Sequence, residues 1–411
     1  MSVLATLALS SAAPAEAAFP GPNGRIFFSS DRDGEQPSPQ YDLYSMKPDG
    51  SDVVRLTDTP GDEFLPSASA DGRWIVYSYL PADSEPGGRD ARIELRTWLG
   101  TGRTELTPSQ PGQDDWDPTF SPDSETVAFS RETGGDGTGE LWTVPTDGSG
   151  APQSIDPIGS NFIYRPSYYP DGSRIAFEGK MFGGVVRIHS IAASGIGAVW
   201  ALSPASPRGS HDPSIAPDGE RVAFDRSELI GMDSFAGVFT SDLNAGDLRT
   251  VLAPTDPYDA YGAAYSPDGE QMAFTRYSSE DPNRYSQILR VPITGGAPIP
   301  LTSGAFNSDY LDWAPEVPIP TARIVKKPRK KSKQRKAIFK VRASIPFADI
   351  ECWVDGRTHR LCRPGRKAVF RRLKPGKHVF RARGIVSGAT TPSLFYTDVG
   401  PVRSFRWKVR R

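Results

Sequence analysis

The stretch Ser266-Pro267-Asp268-Gly269-Glu270-Gln271-Met272-Ala273-Phe274 joins a tight turn to a short apolar strand, and this unit recurs along most of the chain. The other copies of the turn are Gly21-Pro22-Asn23-Gly24, Ser69-Ala70-Asp71-Gly72, Ser121-Pro122-Asp123-Ser124, Tyr169-Pro170-Asp171-Gly172 and Ala216-Pro217-Asp218-Gly219. From the third residue of each turn to the next, the intervals are 48, 52, 48, 47 and 50 residues. A period in this range indicates a repeat architecture.

Each turn is followed by three apolar residues, and such a short run bounded by turn residues predicts a buried strand. The runs are Ile26-Phe27-Phe28, Ile75-Val76-Tyr77, Val127-Ala128-Phe129, Ile175-Ala176-Phe177, Val222-Ala223-Phe224 and Met272-Ala273-Phe274. A second strand follows, as at 140–144, then a third, as at 104–107, and a fourth leads into the next turn. Four short strands per repeat predict one blade of a β-propeller.

The repeats predict a closed ring of six blades. The chain enters the first blade at the Asn23 turn and leaves the repeats at Leu311-Asp312-Trp313-Ala314-Pro315, a segment like those that precede the other turns. Pro267 and Pro315 are again 48 residues apart. The last strand is therefore expected to complete the first blade and leave no exposed sheet edge.

These residues also carry a family resemblance. Ser30–Gly34, Asp114–Asp123 and Ser266–Phe274 resemble the TolB-type (WD-like) β-propeller repeat over about residues 20–318. The resemblance implies a six-bladed propeller that binds a partner in the periplasm. TolB proteins place an α/β domain ahead of the propeller, and we expect none here because only some 20 residues precede the repeats.

The chain is electrostatically divided. Residues 1–320 contain 21 Lys and Arg against 45 Asp and Glu, a net charge of −24, whereas residues 321–411 contain 27 against 4, a net charge of +23. Residues 319–336 are predicted to be a basic linker, because their like charges repel one another into extension. Residues 337–411 are predicted to be a small basic β domain.

This second domain contains both cysteines of the chain, Cys352 and Cys362, which we predict to form a disulfide in an oxidising compartment. Its segment from Cys352 to Arg383 resembles the small immunoglobulin-like domains appended to bacterial surface proteins, which implies a β-sandwich. The predicted fold is thus all-β: a six-bladed β-propeller followed by an immunoglobulin-like sandwich.

Residues 1–19 are predicted to be a signal peptide, or else a disordered tail. They are small and apolar and contain Ala15-Glu16-Ala17, a pattern typical of a cleavage site, although they have no basic n-region. No apolar run reaches 18 residues, so no membrane span is predicted. We therefore expect a protein that is secreted, periplasmic or associated with the cell wall.

Catalytic motifs do not emerge from the sequence. It has no Gly-x-Ser-x-Gly nucleophile elbow, no His-Glu-x-x-His and only four histidines, so no catalytic residue and no cofactor are predicted. The pair Asp31 and Asp33 has the spacing of part of a calcium loop, and the competing interpretation is a structural turn.

Two groups of residues are predicted to contact a partner. Asp62, Asp114, Asp259 and Asp309 recur just ahead of the strand that enters each turn. Two roles, which do not exclude each other, are considered: the first and favoured one is accepting hydrogen bonds from loop amides, and the second is forming a ring of carboxylates at the channel mouth. Trp116 and Tyr261 are aromatic residues near the same rim and are the other candidates.

The function predicted from these features is non-enzymatic binding of a protein or glycan of the cell envelope by a monomeric propeller. The alternative is a propeller enzyme, a lyase or glycoside hydrolase, that uses acidic residues at the channel mouth. For the basic domain we rank attachment to anionic wall polymer or lipid first, docking on the acidic propeller second and nucleic acid last.

Overall fold

The computed structural model describes residues 19–34, 40–82, 90–98, 102–134, 137–156, 162–181, 184–230, 232–316, 321–343, 349–356, 360–363, 365–385 and 402–410. The predicted signal segment falls almost entirely outside these residues. The chain divides into two compact units, one ending at Glu316 and the other beginning at Val317. In the described residues, no helix is long and apolar enough to cross a membrane.

The first unit is built from short antiparallel strands. In chain order they are β1 (Asn23–Ser30), β2 (Asp42–Met46), β3 (Val54–Arg55), β4 (Asp62–Ala68), β5 (Trp74–Leu80), β6 (Arg92–Thr97), β7 (Thr104–Glu105), β8 (Gln113–Phe120), β9 (Thr126–Thr133), β10 (Gly139–Pro145), β11 (Gln153–Ser154), β12 (Ile163–Tyr168), β13 (Arg174–Gly179), β14 (Arg187–Ala192), β15 (Trp200–Ala201), β16 (His211–Ile215), β17 (Arg221–Ile230), β18 (Asp233–Asp242), β19 (Arg249–Leu252), β20 (Tyr258–Tyr265), β21 (Gln271–Ser278), β22 (Gln287–Pro292), β23 (Ile299–Pro300) and β24 (Ser308–Pro315).

These strands form six four-stranded sheets in the described part of the chain. Five sheets are consecutive in sequence, β4 to β7, β8 to β11, β12 to β15, β16 to β19 and β20 to β23. The remaining sheet has the order β24-β1-β2-β3 and joins the end of the unit to its beginning. In that sheet Ile26 pairs with Trp313, and Ser30 pairs with Ser308. The all-β propeller predicted from the repeats is confirmed.

The core comes from the apolar runs that follow the turns. Their residues are buried in all six sheets, with no more than 2% of any of these residues exposed. The third residue of each run is aromatic, as in Phe129 and Phe224, and it packs against its own sheet or a neighbouring one. Burial of each such ring stabilises the fold by about 2–3 kcal/mol.

The recurrent turns close as the Pro-Asp-Gly chemistry predicts. In the turn at 266–269, the Gly269 amide donates to the Ser266 carbonyl at 2.8 Å. Gly269 has a φ of +72°, where a residue without Cβ has no steric penalty. The Asp268 carboxylate accepts a hydrogen bond from the Glu270 amide at 3.0 Å. The aspartate of this turn is therefore a structural acceptor.

The copy at Asn23 differs from the others because it lies where the ring closes. Asn23 belongs to β1 and pairs with Pro315 of the last strand. Its Nδ2 donates to Asp268 at 2.7 Å. A Cβ at Gly24 would lie 2.3 Å from the Pro315 carbonyl oxygen, so glycine is required here by close approach of two backbones.

The second unit contains β25 (Ala322–Lys326), β26 (Lys331–Ser332), β27 (Ala337–Ala343), β28 (Asp349–Val354), β29 (Arg360–Leu361), β30 (Lys367–Phe370), β31 (Gly376–Ile385) and β32 (Arg403–Val409). They form a three-stranded sheet, β25-β27-β30, and a five-stranded sheet, β26-β32-β31-β28-β29. The two sheets share one core, in which the rings of Phe339 and Phe380 stack with centroids 3.9 Å apart. The assignment to immunoglobulin-like domains stays a prediction.

Two sequence expectations for this unit have clear outcomes. Cys352 and Cys362 form a disulfide, as predicted, and it joins β28 to the residue after β29. The segment predicted as an extended basic linker instead contains β25 and β26. Its alternation of apolar and basic residues explains the difference, because Ala322 turns inward and is 1% exposed while Arg323 faces solvent.

Candidate functional site

A cavity of about 160 Å³ lies where the inner strands of all six propeller sheets meet. The strands are β4, β8, β12, β16, β20 and β24. Each lines the cavity with a triplet of consecutive residues at the equivalent position of its repeat. The triplets are Leu65-Pro66-Ser67, Asp117-Pro118-Thr119, Arg165-Pro166-Ser167, Asp212-Pro213-Ser214, Gly262-Ala263-Ala264 and Tyr310-Leu311-Asp312. This cavity is the candidate site, and we call it the channel pocket.

The first residue of every triplet has a left-handed backbone. The φ angles are +56° at Leu65, +55° at Asp117, +54° at Arg165, +51° at Asp212, +60° at Gly262 and +52° at Tyr310. Each lies in a β-bulge, where the register to the next strand shifts, for example between Trp116 and Thr119. A left-handed residue other than glycine costs about 1–2 kcal/mol. Five of the six bulges, all but that at Gly262, therefore carry backbone strain, and strain of this kind clusters at functional sites.

Arg165 is the centre of charge in the channel pocket. Its Nε lies 3.2 Å from Asp117 Oδ1 and 3.2 Å from Asp212 Oδ1. Burial lowers the pKa of Arg165, but the charges of Asp117, Asp212 and Glu178 outweigh burial and hold the pKa above its ordinary value. Arg165 therefore stays charged and fixes the two carboxylates on either side of it.

Two further acids lie behind the ring, on the second strands of neighbouring sheets. Glu178 accepts a hydrogen bond from the Asp212 amide at 3.1 Å, and Asp225 accepts one from the Gly262 amide at 3.4 Å. Burial raises the pKa of Asp225 well above its ordinary value, and the charge of Asp212 raises it further. The negative charge of Asp212 thus disfavours ionisation of Asp225.

His211 extends this polar side of the pocket. Its Nδ1 lies 3.4 Å from Glu178 Oε2, and this interaction raises the pKa of His211 despite partial burial. Burial also raises the pKa of Asp117, opposed by the charge of Arg165. Asp117 and Asp212 thus line the pocket on either side of Arg165, and Glu178, Asp225 and His211 lie behind them, so this side of the pocket is rich in carboxyl groups.

An aromatic cluster adjoins the pocket through Tyr310, which is one of the lining residues. The ring of Phe64 lies 5.0 Å from Tyr41, 6.3 Å from Trp116 and 6.0 Å from Tyr310, measured between centroids. The Arg165 guanidinium lies 5.4 Å from the Tyr310 ring and connects this cluster to the polar side of the pocket. The predicted partner residue Trp116 belongs to this aromatic group, and Tyr261 lines the pocket directly.

The four predicted acidic partner residues have other contacts. Asp62, Asp114 and Asp259 accept hydrogen bonds from the amides of Tyr41, Ala91 and Ala236 at 2.8, 3.0 and 2.8 Å. Asp309 accepts from the Tyr261 hydroxyl at 2.8 Å and the Tyr41 hydroxyl at 3.3 Å. Asp62, Asp114 and Asp259 thus accept hydrogen bonds from loop amides and Asp309 from tyrosine hydroxyls, and a role of the four in partner binding stays a prediction.

The calcium candidates are also occupied by protein donors. Both oxygens of Asp31 accept from Asn307, its amide at 2.6 Å and its Nδ2 at 2.8 Å. Asp33 accepts from the Tyr44 hydroxyl at 2.8 Å. The described residues contain no group of three or more His, Cys, Asp or Glu side chains arranged to hold a metal ion. Calcium binding by Asp31 and Asp33 therefore stays a prediction without support from this geometry.

Sequence reasoning missed Asp117, Arg165, Asp212, Glu178 and Asp225. A signal for them exists in the aligned repeats. Four of the six repeats share the pattern x-Pro-Ser or x-Pro-Thr, and the variable residue x before the proline is the one with the left-handed backbone. The position after each apolar run is Ser29, Ser78, Ser130, Glu178, Asp225 and Thr275, so acids occur in two neighbouring repeats only.

Sequence comparison finds little similarity to known proteins. The chain matches no protein-family profile. An uncharacterised protein of Agrobacterium fabrum is 32% identical over 114 residues, which cover 27% of this chain and 37% of that protein. The chain thus matches little more than a third of this relative's length.

Three solved structures share the fold. TolB from Acinetobacter baumannii superposes with a TM-score of 0.58 at 21% identity, covering 71% of this chain and 67% of that one. A putative TolB from Agrobacterium tumefaciens gives 0.50 at 16% identity, covering 71% and 99%. Hydrazine synthase from Kuenenia stuttgartiensis gives 0.55 at 12% identity, covering 93% and 70%. At these identities the likeness concerns fold, and the first unit of the chain is a β-propeller of the TolB-like fold.

Proposed function

We propose that this protein is an exported binding protein whose propeller captures a partner at the channel pocket. The observation that carries the proposal is the ring of six left-handed residues on six different sheets. Because each bulge is held by a four-stranded sheet, the side chains of the ring are positioned before any ligand arrives, and such preorganisation favours binding. The TolB-like fold is in keeping with this role.

The charges and rings of the pocket suggest the chemistry of the partner. An excess of carboxylates beside Arg165 favours a cationic group, and the ring of Tyr310 next to them favours an apolar or cationic neighbour. A protein segment that presents a lysine, an arginine or an amino terminus beside an apolar side chain meets both demands. A glycan is the other partner class, since sugars also stack on aromatic rings.

The remaining parts of the proposal concern location and attachment. The disulfide between Cys352 and Cys362 is in keeping with an oxidising compartment such as the periplasm or cell surface. We propose that residues 337–411, together with β25 and β26, attach the protein to the envelope through their positive charge. The protein is proposed to act as a monomer.

Photocrosslinking tests the partner site. A photoreactive phenylalanine analogue in place of Tyr310 should crosslink to a discrete protein in the native envelope, and Asp212→Asn should abolish that crosslink. The matched control carries the same analogue at Trp200, an aromatic residue that is 54% exposed on an outer strand. Identical crosslinked products from both positions would contradict a binding site at the channel. A crosslink to a glycan would show that the partner is a glycan and not a protein.

A propeller lyase or glycoside hydrolase is the competing proposal. One observation favours it: Asp212 lines the pocket, and behind it lies Asp225, whose pKa burial raises above its ordinary value; such enzymes use two carboxyl groups with different pKa values. Incubation with uronate oligosaccharides and neutral glycans, followed by ultraviolet absorbance of unsaturated products and by reducing-end assays, tests it. Turnover that is lost in Asp225→Asn would establish an enzyme and overturn the binding proposal.

A further inference from the structure

Cationic residues of the second unit oppose one another directly across neighbouring strands. Arg323 is paired with Arg342, Lys340 with Lys367, and Lys377 with Lys408. Like charges in directly opposite positions destabilise a sheet. Only 4 Asp and Glu accompany 27 Lys and Arg in residues 321–411, so few acids are available to compensate. An anionic ligand would relieve this repulsion.

One part of this surface is concave. A cavity of about 370 Å³ lies between β25 and the start of β32, bordered by Arg323, Lys327 and Arg403. Its apolar wall includes Phe405, and the Lys327 Nζ lies 5.1 Å from the centre of that ring. Arg323 and Arg403 are exposed, and none of the described residues around the cavity is acidic.

The cavity adjoins a row of opposed cations on the three-stranded sheet, which consists of Arg323, Arg342, Lys340 and Lys367. Arg323 borders the cavity and is also paired with Arg342 across the sheet, so it belongs to both. Neighbouring strands are about 5 Å apart and alternate residues along a strand about 7 Å apart. The cations therefore recur at intervals that suit a linear polymer with one negative charge per repeating unit.

We propose that this cavity and the adjoining row bind a linear phosphodiester polymer of the envelope, of the polyol phosphate kind. The proposal rests on the proposed attachment of the second unit and names its site and ligand class. An arginine guanidinium donates two parallel hydrogen bonds to the oxygens of one phosphate group. This geometry favours a bound phosphate over small anions that are only loosely attracted to the positive surface. Charge complementarity is the argument for this occupant, since the described walls offer three cations and no acid.

Nucleic acid is the other phosphodiester polymer to consider. Single-strand binding requires aromatic side chains on which successive bases stack. In the cavity the one aromatic ring is Phe405, and Lys327 lies over it. The described site therefore favours a polymer without bases.

The test measures binding of the full-length protein to fluorescently labelled poly(glycerol phosphate) at increasing salt. With Arg323, Lys327, Arg403 and Arg342 in contact, log K should fall against log salt with a slope of about −3. Arg323→Gln with Arg403→Gln should weaken binding at least tenfold at low salt and make the slope shallower by about 1.4. The control is Lys377→Gln with Lys408→Gln, which removes two opposed cations from the other sheet and should leave binding within about twofold of wild type, since neither side chain belongs to the site.

Each remaining outcome decides the proposal. Equal losses in the two double variants would overturn the site, because net charge alone would then explain binding. A single-stranded oligonucleotide of equal charge that binds tenfold more tightly, or phosphatidylglycerol vesicles that bind while the polymer does not, would also overturn it. Acetylation of Lys327 in the wild-type protein should be suppressed by the polymer, and this readout needs no variant.

Failure of attachment is distinguishable from failure of the site. Fractionation of cells tests attachment, whereas the binding measurement tests the ligand. A protein that binds the polymer in solution but is released freely from the envelope would refute attachment and leave the site intact. If the double variant Arg323→Gln with Arg403→Gln is retained by the envelope as well as the wild-type protein is, the site is not the means of retention.

Discussion

Glu63 is a carboxyl group whose ionisation should be visible in the stability of the propeller. It is fully buried on β4, its Oε1 accepts a hydrogen bond from Thr59, and its Oε2 has no partner among the described residues. Burial raises the pKa of Glu63 to about 8, and the charge of Asp42 adds to this effect. The folded protein therefore holds this proton at a pH where the unfolded chain has released it.

The sign of the pH dependence follows from linkage. Below pH 4.5, the ordinary pKa of a glutamate, both states are protonated and Glu63 does not affect stability. As the pH rises toward 8, the unfolded chain releases the proton, so the free energy of unfolding falls. We expect Glu63→Gln to gain about 4 kcal/mol over wild type between pH 4 and pH 8. Urea unfolding at both pH values measures it, with Glu220→Gln at an exposed turn as control; a gain that does not change with pH would contradict the prediction.

The backbone at Gly262 tests whether the ring of bulges is strained. Its φ is +60°, and an added Cβ would meet no atom nearer than Asp212 Oδ2 at 4.0 Å. Gly262→Ala should therefore lose about 1 kcal/mol through backbone strain alone. Gly262→Asn should lose less, because asparagine adopts the left-handed conformation more readily. Denaturant unfolding measures both, and an alanine variant as stable as wild type would show that the bulge is relaxed.

Closure of the ring is a property of two strands from opposite ends of the propeller. Near the paired ends of β1 and β24, Asp31 accepts two hydrogen bonds from Asn307, and only 6% of Asp31 is exposed. Asp31→Ala leaves two partly buried donors of Asn307 without their acceptor and should cost about 2 kcal/mol. Amide exchange should accelerate in β1 and β24 before it does so in other strands.

A matched substitution separates closure from ordinary turn chemistry. Asp49 also accepts two hydrogen bonds, from the amide and hydroxyl of Ser51 at 2.9 and 2.6 Å, but in an exposed local turn. Asp49→Ala should cost less than about 1 kcal/mol because water replaces the lost acceptor. Equal costs for the two variants would indicate that Asp31 contributes nothing specific to closure.

At the scale of strands, the sequence predicts what repeats and misses what varies. The apolar runs and the Pro-Asp-Gly turns recur with one chemistry, so the sheets could be located from spacing alone. The ring residues Leu65, Asp117, Arg165, Asp212, Gly262 and Tyr310 share a backbone conformation but no side-chain chemistry. Composition therefore gave no signal for Arg165, and only alignment of the repeats places it beside Asp117 and Asp212.

Strands were also mistaken for a linker where charge dominated the pattern. The run of lysines and arginines from Lys326 to Lys336 predicts extension by repulsion. Yet Ala322 and Ile324 alternate with exposed residues, and this short alternation is enough to add β25 to a sheet. The net charge of a segment depends on the residues that face solvent. It does not reveal whether the residues between them are apolar and can be buried in a sheet.

The whole molecule combines two proposed binding activities in separate units, and they should be separable by substitution. Asp212→Asn changes the channel pocket and should abolish partner crosslinking while leaving affinity for poly(glycerol phosphate) within about twofold of wild type, because substitutions at independent sites are additive. Arg323→Gln with Arg403→Gln should have the reverse effect. Both variants are measured in full-length protein by the same crosslinking and salt-titration assays. Loss of both activities in either variant, with the unfolding transition unchanged, would mean that the two units act as one site.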